Sequence, residues 1–99
     1  MIDNLIINEP NPFWSYLDEK SFFAWLESIP AVIEVVGDGG GLNVSLRIPL
    51  EESSLRDLIA LMHRYQIDKR CLRRFCVPEN EKWFKDPEKY WYISVFGDA

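Results

Sequence analysis

From residue 42 the chain reads LNVSLRI, and Leu42, Val44, Leu46 and Ile48 alternate without a break with Asn43, Ser45 and Arg47. Only an extended backbone puts every second side chain on one face, so this segment reads as a strand with one face buried. GDGGG at 37–41 stands just before it, and glycine supplies the positive φ angles of a tight reversal. Ahead of the glycines, Ala31, Ile33 and Val35 share one parity. Together these runs predict a β-hairpin over 31–48. A loop at Gly37–Gly40 that pairs Val36 with Gly41 sets Ile33 opposite Val44 and keeps the apolar partners on one side.

A hairpin with one apolar face needs a cover, and two helical stripes offer it. Phe22, Trp25, Leu26 and Ile29 recur at i, i+3, i+4 and i+7, which predicts a helix over 18–29, capped by Asp18 and ended by Pro30. Ser54 and Asp57 resemble a capping box, and Leu55, Leu58, Ile59 and Met62 follow at helical spacing. That pattern predicts a second helix over 54–65, with a shorter one at about 68–75. Ile2, Leu5, Ile6 and Ile7 mark a candidate short strand. The expected architecture is a single α+β domain over 1–99 in two layers, a small antiparallel sheet containing the 31–48 hairpin packed by both helices. Leu26, Ile29, Ile33, Val44, Leu46, Leu58, Ile59 and Met62 are the expected core.

The stretch EKWFKDPEKYWYISVFG at 81–97 holds six of the fourteen aromatic residues. So much flat apolar surface calls for burial, in the core or against a partner. Asp86 and Pro87 predict the start of a short helix that Gly97 ends. A strand is the alternative, because Trp91, Ile93 and Val95 also alternate. Trp83 and Trp91 are expected to be largely buried.

Little in the chain is arranged for bond-making chemistry. The glycine run lacks the Gly-Lys-Ser/Thr ending and following helix of a phosphate cradle. His63 is the one histidine, and with Cys71 and Cys76 it makes an incomplete, oddly spaced set for zinc. The acidic pairs Asp18–Glu19 and Glu51–Glu52 fall where helices begin, where the helix dipole accounts for them. No enzymatic activity, cofactor or required metal is therefore expected. The N-terminus has no basic leader pattern and no stretch approaches a membrane span. A cytoplasmic location with free thiols is the expectation.

The net charge of −5 is divided unevenly, −7 over residues 1–60 and +2 over 61–99. An acidic surface repels nucleic acid and anionic membranes and draws in basic partners. Arg64, Lys69, Arg70, Arg73 and Arg74 form a basic run that could grip phosphate. A solvated face, or pairing with the acidic first half, is the expected reading of it.

Three segments taken together, FFAWLESIPAVIEVVGDG at 22–39, LRDLIALMHRYQIDKRCLRRF at 55–75 and WFKDPEKYWYISVFG at 83–97, resemble a family of small bacterial proteins. These are the immunity proteins of polymorphic toxin systems, including those of contact-dependent growth inhibition. The Trp-Phe-x-Asp-Pro-x-x-Tyr-Trp-Tyr ending is the most specific part, and residues 1–17 add nothing. The resemblance implies a cytoplasmic antidote that binds a cognate toxin C-terminal domain and blocks its active site or substrate entry. A basic nuclease domain fits the acidity of this chain. The resemblance carries no catalytic or contact residues over. From charge and position, the toxin-binding candidates are Glu34 and Asp38 on the hairpin and Glu51, Glu52 and Asp57 around the start of the second helix. A non-enzymatic adaptor of a bacterial assembly, and a nucleic-acid binder using 64–74, are the other readings. Oligomeric state is left open.

Overall fold

Two glycines set the register of the sheet. The computed structural model describes residues 1–10 and 12–97, apart from the side chain of Asp38. The sheet is built from β1 (Ile2–Asn8), β2 (Val32–Asp38) and β3 (Gly41–Arg47) in the order β1-β3-β2, every neighbour antiparallel. Gly39 at φ 58° and Gly40 at φ 93° form the two-residue reversal between β2 and β3, close to the type I′ geometry that matches strand twist. Asp38 therefore faces Gly41, and Val35, not Ile33, faces Val44.

The expected register is corrected on this point. The turn is shorter than a four-residue loop, which moves β2 by two positions. A bulge between Val32 and Glu34 then changes its parity, so that Val32 faces Leu46. A bulge leaves one residue outside the ladder. Ile33 occupies it and is 42% exposed rather than core. The other seven expected core residues are buried.

One face of the sheet carries Leu5, Ile7, Leu42, Val44 and Leu46, all buried, while Ile2, Ile6 and Val36 point to the open face. The buried face is covered by α1 (Tyr16–Ser28) and α2 (Glu52–Arg64). The chain is thus a two-layer α+β fold. Its Cα radius of gyration, 13.3 Å, is that of a compact body of about 100 residues.

α1 begins two residues earlier than the stripe predicts, because the cap is Ser15. Its Oγ accepts from the Asp18 amide at 3.1 Å, and the Asp18 carboxylate accepts from the Trp14 amide at 3.0 Å. The helix ends at Ser28, with Ile29 as its C-cap just before Pro30. Phe22 and Leu26 are wholly enclosed, and Phe22 meets Tyr65 edge-on at 4.9 Å.

α2 also starts early, with Glu51 at the cap position. Ser54 is not the cap. It is buried, and its Oγ accepts from the Ala31 amide at 3.2 Å, tying the helix to the approach to β2. Leu55, Leu58, Ile59, Leu61 and Met62 fill the layer between. Each side chain of this size contributes about 1.5–3 kcal/mol on burial.

After α2 a 3-10 turn, Arg70–Phe75, leads to α3 (Glu81–Phe84) and α4 (Tyr92–Phe96). The expected helix from Pro87 begins instead at Tyr92. The Asp86 carboxylate accepts from the Glu88 amide at 3.0 Å, and Lys89 and Tyr92 close successive tight turns. Trp91 is buried at 3% exposure, whereas Trp83 is half-buried. Among the described residues, no helix is long and apolar enough to cross a membrane.

Candidate functional site

β3 ends beside the start of α2, and the 3-10 turn passes the same corner on its way to α3. Between them runs a groove of about 490 Å3. Ile48, Pro49 and Leu50 line it together with Phe75, Val77 and Trp83. Asp3, Glu51, Glu52, Glu79, Arg74 and Asn80 also line it, so the groove joins a mainly apolar surface to an excess of carboxylates.

Two arginines of the chain already use this lining. The Arg56 guanidinium lies 4.4 Å from the centre of the Trp83 ring, and its Nε reaches Glu52 at 2.8 Å. That of Arg74 lies 4.7 Å from the Phe75 ring, with its Nε 3.5 Å from the Asp3 carboxylate. Arg74 also donates to the Asn4 carbonyl on β1. A cation over an aromatic face, steadied by a carboxylate, thus occurs twice in the groove. Glu52 and Asp3 are engaged in this way, while Glu51 and Glu79 make no ion pair among the described residues.

One wall of the groove is fixed by Asn80. Its Nδ2 donates to the Phe75 carbonyl at 2.9 Å, and its Oδ1 accepts from the Val77 amide at 2.9 Å. A buried amide satisfied on both sides holds the loop in one shape. Val77 and Glu79 are thereby presented on a preformed edge.

The candidate acids of the sequence divide into separate groups. Glu51 and Glu52 line the groove. Glu34 faces Ser45 on the open side of the sheet. Asp57 is exposed on α2, about 140° around the helix from Glu52 at 100° per residue. The side chain of Asp38 lies outside the described residues.

Glu79, Val77 and the aromatic walls escaped the sequence reading. They come from segments far apart in the chain, and no local spacing joins them. Trp14, 85% exposed, with exposed Tyr16 and Leu17, was missed too. Its signal was present in the aromatic run FWSYL at 13–17. These side chains stand at the entry to α1, near a second recess of about 450 Å3 lined by Asp18, Arg64 and Tyr65. Burial, then the neighbouring Asp18 carboxylate, pushes the Tyr65 hydroxyl pKa up.

The basic run is largely used within the chain. Arg70 pairs with Asp68 at 2.5 Å. Arg73 donates to the carbonyls of Val95 and Gly97 at the end of α4, where a cation complements the helix dipole. Arg74 holds β1. Lys69 is buried, which lowers its pKa despite the nearby Asp68. Cys71 and Cys76 are free, and burial raises both thiol pKa values. His63 stacks edge-on against Tyr90 at 4.8 Å. Among the described residues, no three His, Cys, Asp or Glu side chains gather as a ligand set for a metal.

No family model matches the chain, and neither a curated protein nor a solved structure matches it significantly.

Proposed function

We propose that this chain is an immunity protein that binds a cognate toxin domain, a basic nuclease domain by charge, and neutralises it by blocking its active site or substrate entry. The observation that carries the reading is the apolar groove whose lining keeps two carboxylates, Glu51 and Glu79, without an ion pair among the described residues. An apolar lining supplies affinity, and surrounding charge supplies orientation and fast association. Speed matters to an antidote, because electrostatic steering raises association rates well above those of neutral pairs. The role is binding without catalysis, performed in the cytoplasm where the toxin acts. The resemblance of the 22–39, 55–75 and 83–97 segments to immunity proteins supports the same role.

The test is co-expression with the toxin domain encoded beside this gene. The expected result is survival of toxin-expressing cells and recovery of a one-to-one complex. If the chain rescues no cells and captures no neighbouring toxin domain, the reading is lost.

A further inference from the structure

The groove says what kind of side chain it is built to receive. Its two aromatic walls each hold a guanidinium of this chain, Arg56 on Trp83 and Arg74 on Phe75, with Glu52 and Asp3 alongside. The chemistry suits arginine better than lysine, because a planar, weakly hydrated guanidinium stacks on a ring and still bonds a carboxylate edge. Leu50 and Val77 line the same groove, together with Glu51 and Glu79. Val77 is an apolar side chain left 40% exposed beside the buried Phe75. One more guanidinium and one more apolar side chain complete the pattern.

We propose that the groove binds an arginine-bearing segment of a protein partner. The guanidinium goes to Glu51 and Glu79, and an adjacent apolar side chain lies on Leu50 and Val77. The charge of the groove selects the occupant: Arg56 and Arg74 pair with Glu52 and Asp3, which leaves the lining carboxylates Glu51 and Glu79 in excess, so phosphate groups are repelled and cationic peptide is attracted. The apolar lining separates this site from a merely acidic surface, which would take any cation. The proposal deepens the immunity reading and rests on it only for the name of the partner. In a basic toxin domain, the residue captured would be one of the arginines that give it its charge.

The probe is a blocked hexapeptide of alternating arginine and leucine, titrated into the full isotope-labelled chain and followed by NMR. The controls are the arginine–glycine and lysine–leucine hexapeptides. The expected result is a set of shifts confined to amides 50–52, 77 and 79–83 and the Trp83 indole N–H, with arginine–leucine binding tightest. Glu79→Lys should weaken it about tenfold, as expected when a charge contact becomes repulsive. Val77→Ser should weaken it without changing charge, and should bring it toward the arginine–glycine control. Both positions are exposed, so the remaining amide signals should stay in place and report an intact fold.

Equal binding of arginine–glycine and arginine–leucine, or shifts spread over the acidic first half, would overturn the proposal. So would groove shifts that appear with protein concentration alone, since the occupant would then be a second copy of this chain. The toxin assay keeps the two claims apart. Protection by wild type and equally by Glu79→Lys/Val77→Ser leaves the immunity role standing and removes the groove. Peptide capture in the groove, without neutralisation of any neighbouring toxin, does the reverse.

Discussion

The indole N–H of Trp91 donates to the backbone carbonyl of Phe84 at 2.7 Å, inside the core. This bond ties the end of α3 to the turn before α4, and the Trp91 ring packs edge-on to Trp83 at 6.1 Å. The aromatic tail is therefore part of the folded body. Trp91→Phe keeps most of the ring but leaves the Phe84 carbonyl without its donor, at an expected cost of about 1–3 kcal/mol. Trp91→Ala adds a cavity and should cost about 3–5 kcal/mol. Urea denaturation of the two variants separates these effects. A Trp91→Phe variant as stable as the wild type would show that the hydrogen bond contributes nothing.

Arg73 reaches two carbonyls at the C-terminal end of α4, those of Val95 and Gly97. Lysine has one head group and no fork with which to bridge both. Arg73→Lys should therefore speed amide exchange over 92–97 while leaving α1 and the sheet protected. Exchange that quickens uniformly across the chain would instead mean a global loss of stability.

The hairpin reversal calls for two residues in the left-handed region. No heavy atom lies within 4 Å of an added Cβ at Gly39 or Gly40, so any cost of substitution there arises in the backbone. Gly39→Asn should be close to neutral, because asparagine tolerates this conformation and Asn-Gly favours the same turn. Gly40→Val, at φ 93°, should cost more than about 1 kcal/mol. Thermal unfolding of the pair checks the ordering, and equal melting points would refute it.

Asp68 links the end of α2 to the 3-10 turn. The Arg70 guanidinium, then the Arg70 backbone N–H, holds its carboxyl at about 2, below the ordinary 3.8. The folded pKa is depressed, so this contribution to stability is present above the unfolded value and is lost as pH falls through about 2. It is small, because both side chains are about half exposed and water screens the pair. Asp68→Asn should flatten the acid limb of the stability curve between about pH 4 and 2. It should do so least in high salt, where the wild-type pair is already weakened. An unchanged slope would mean that the pair has no energetic role.

The helices were legible because an apolar stripe has one period and one meaning. Phe22, Leu26 and Ile29, then Leu55, Leu58, Ile59 and Met62, are buried where their spacing places them. Their starts were less legible. Ser54 looked like a cap because serine caps many helices, but here its hydroxyl serves the Ala31 amide. β2 was legible as a strand but not in register. VIEVV offers apolar side chains on both parities, so alternation alone could not reveal the bulge at Ile33, and GDGGG admits more than one turn length. For the site, Glu51 and Glu52 could be named because acids at a helix start are conspicuous. Glu79, Val77 and Phe75 could not, because only the docking of the 3-10 turn beside β1 brings them to that corner.

β1 finds its partner in β3, across the whole of α1 and β2. A chain leaving the ribosome thus presents Leu5 and Ile7 some 35–40 residues before Leu42 and Val44 exist, a wait of about 2–8 seconds at ordinary elongation rates. The hairpin of β2 and β3 closes over two residues, so it can form within microseconds of being made. β1 then docks onto a ready template, at the entropic expense of closing a long loop. During synthesis, β1 is the strand of this sheet left longest open to misassembly.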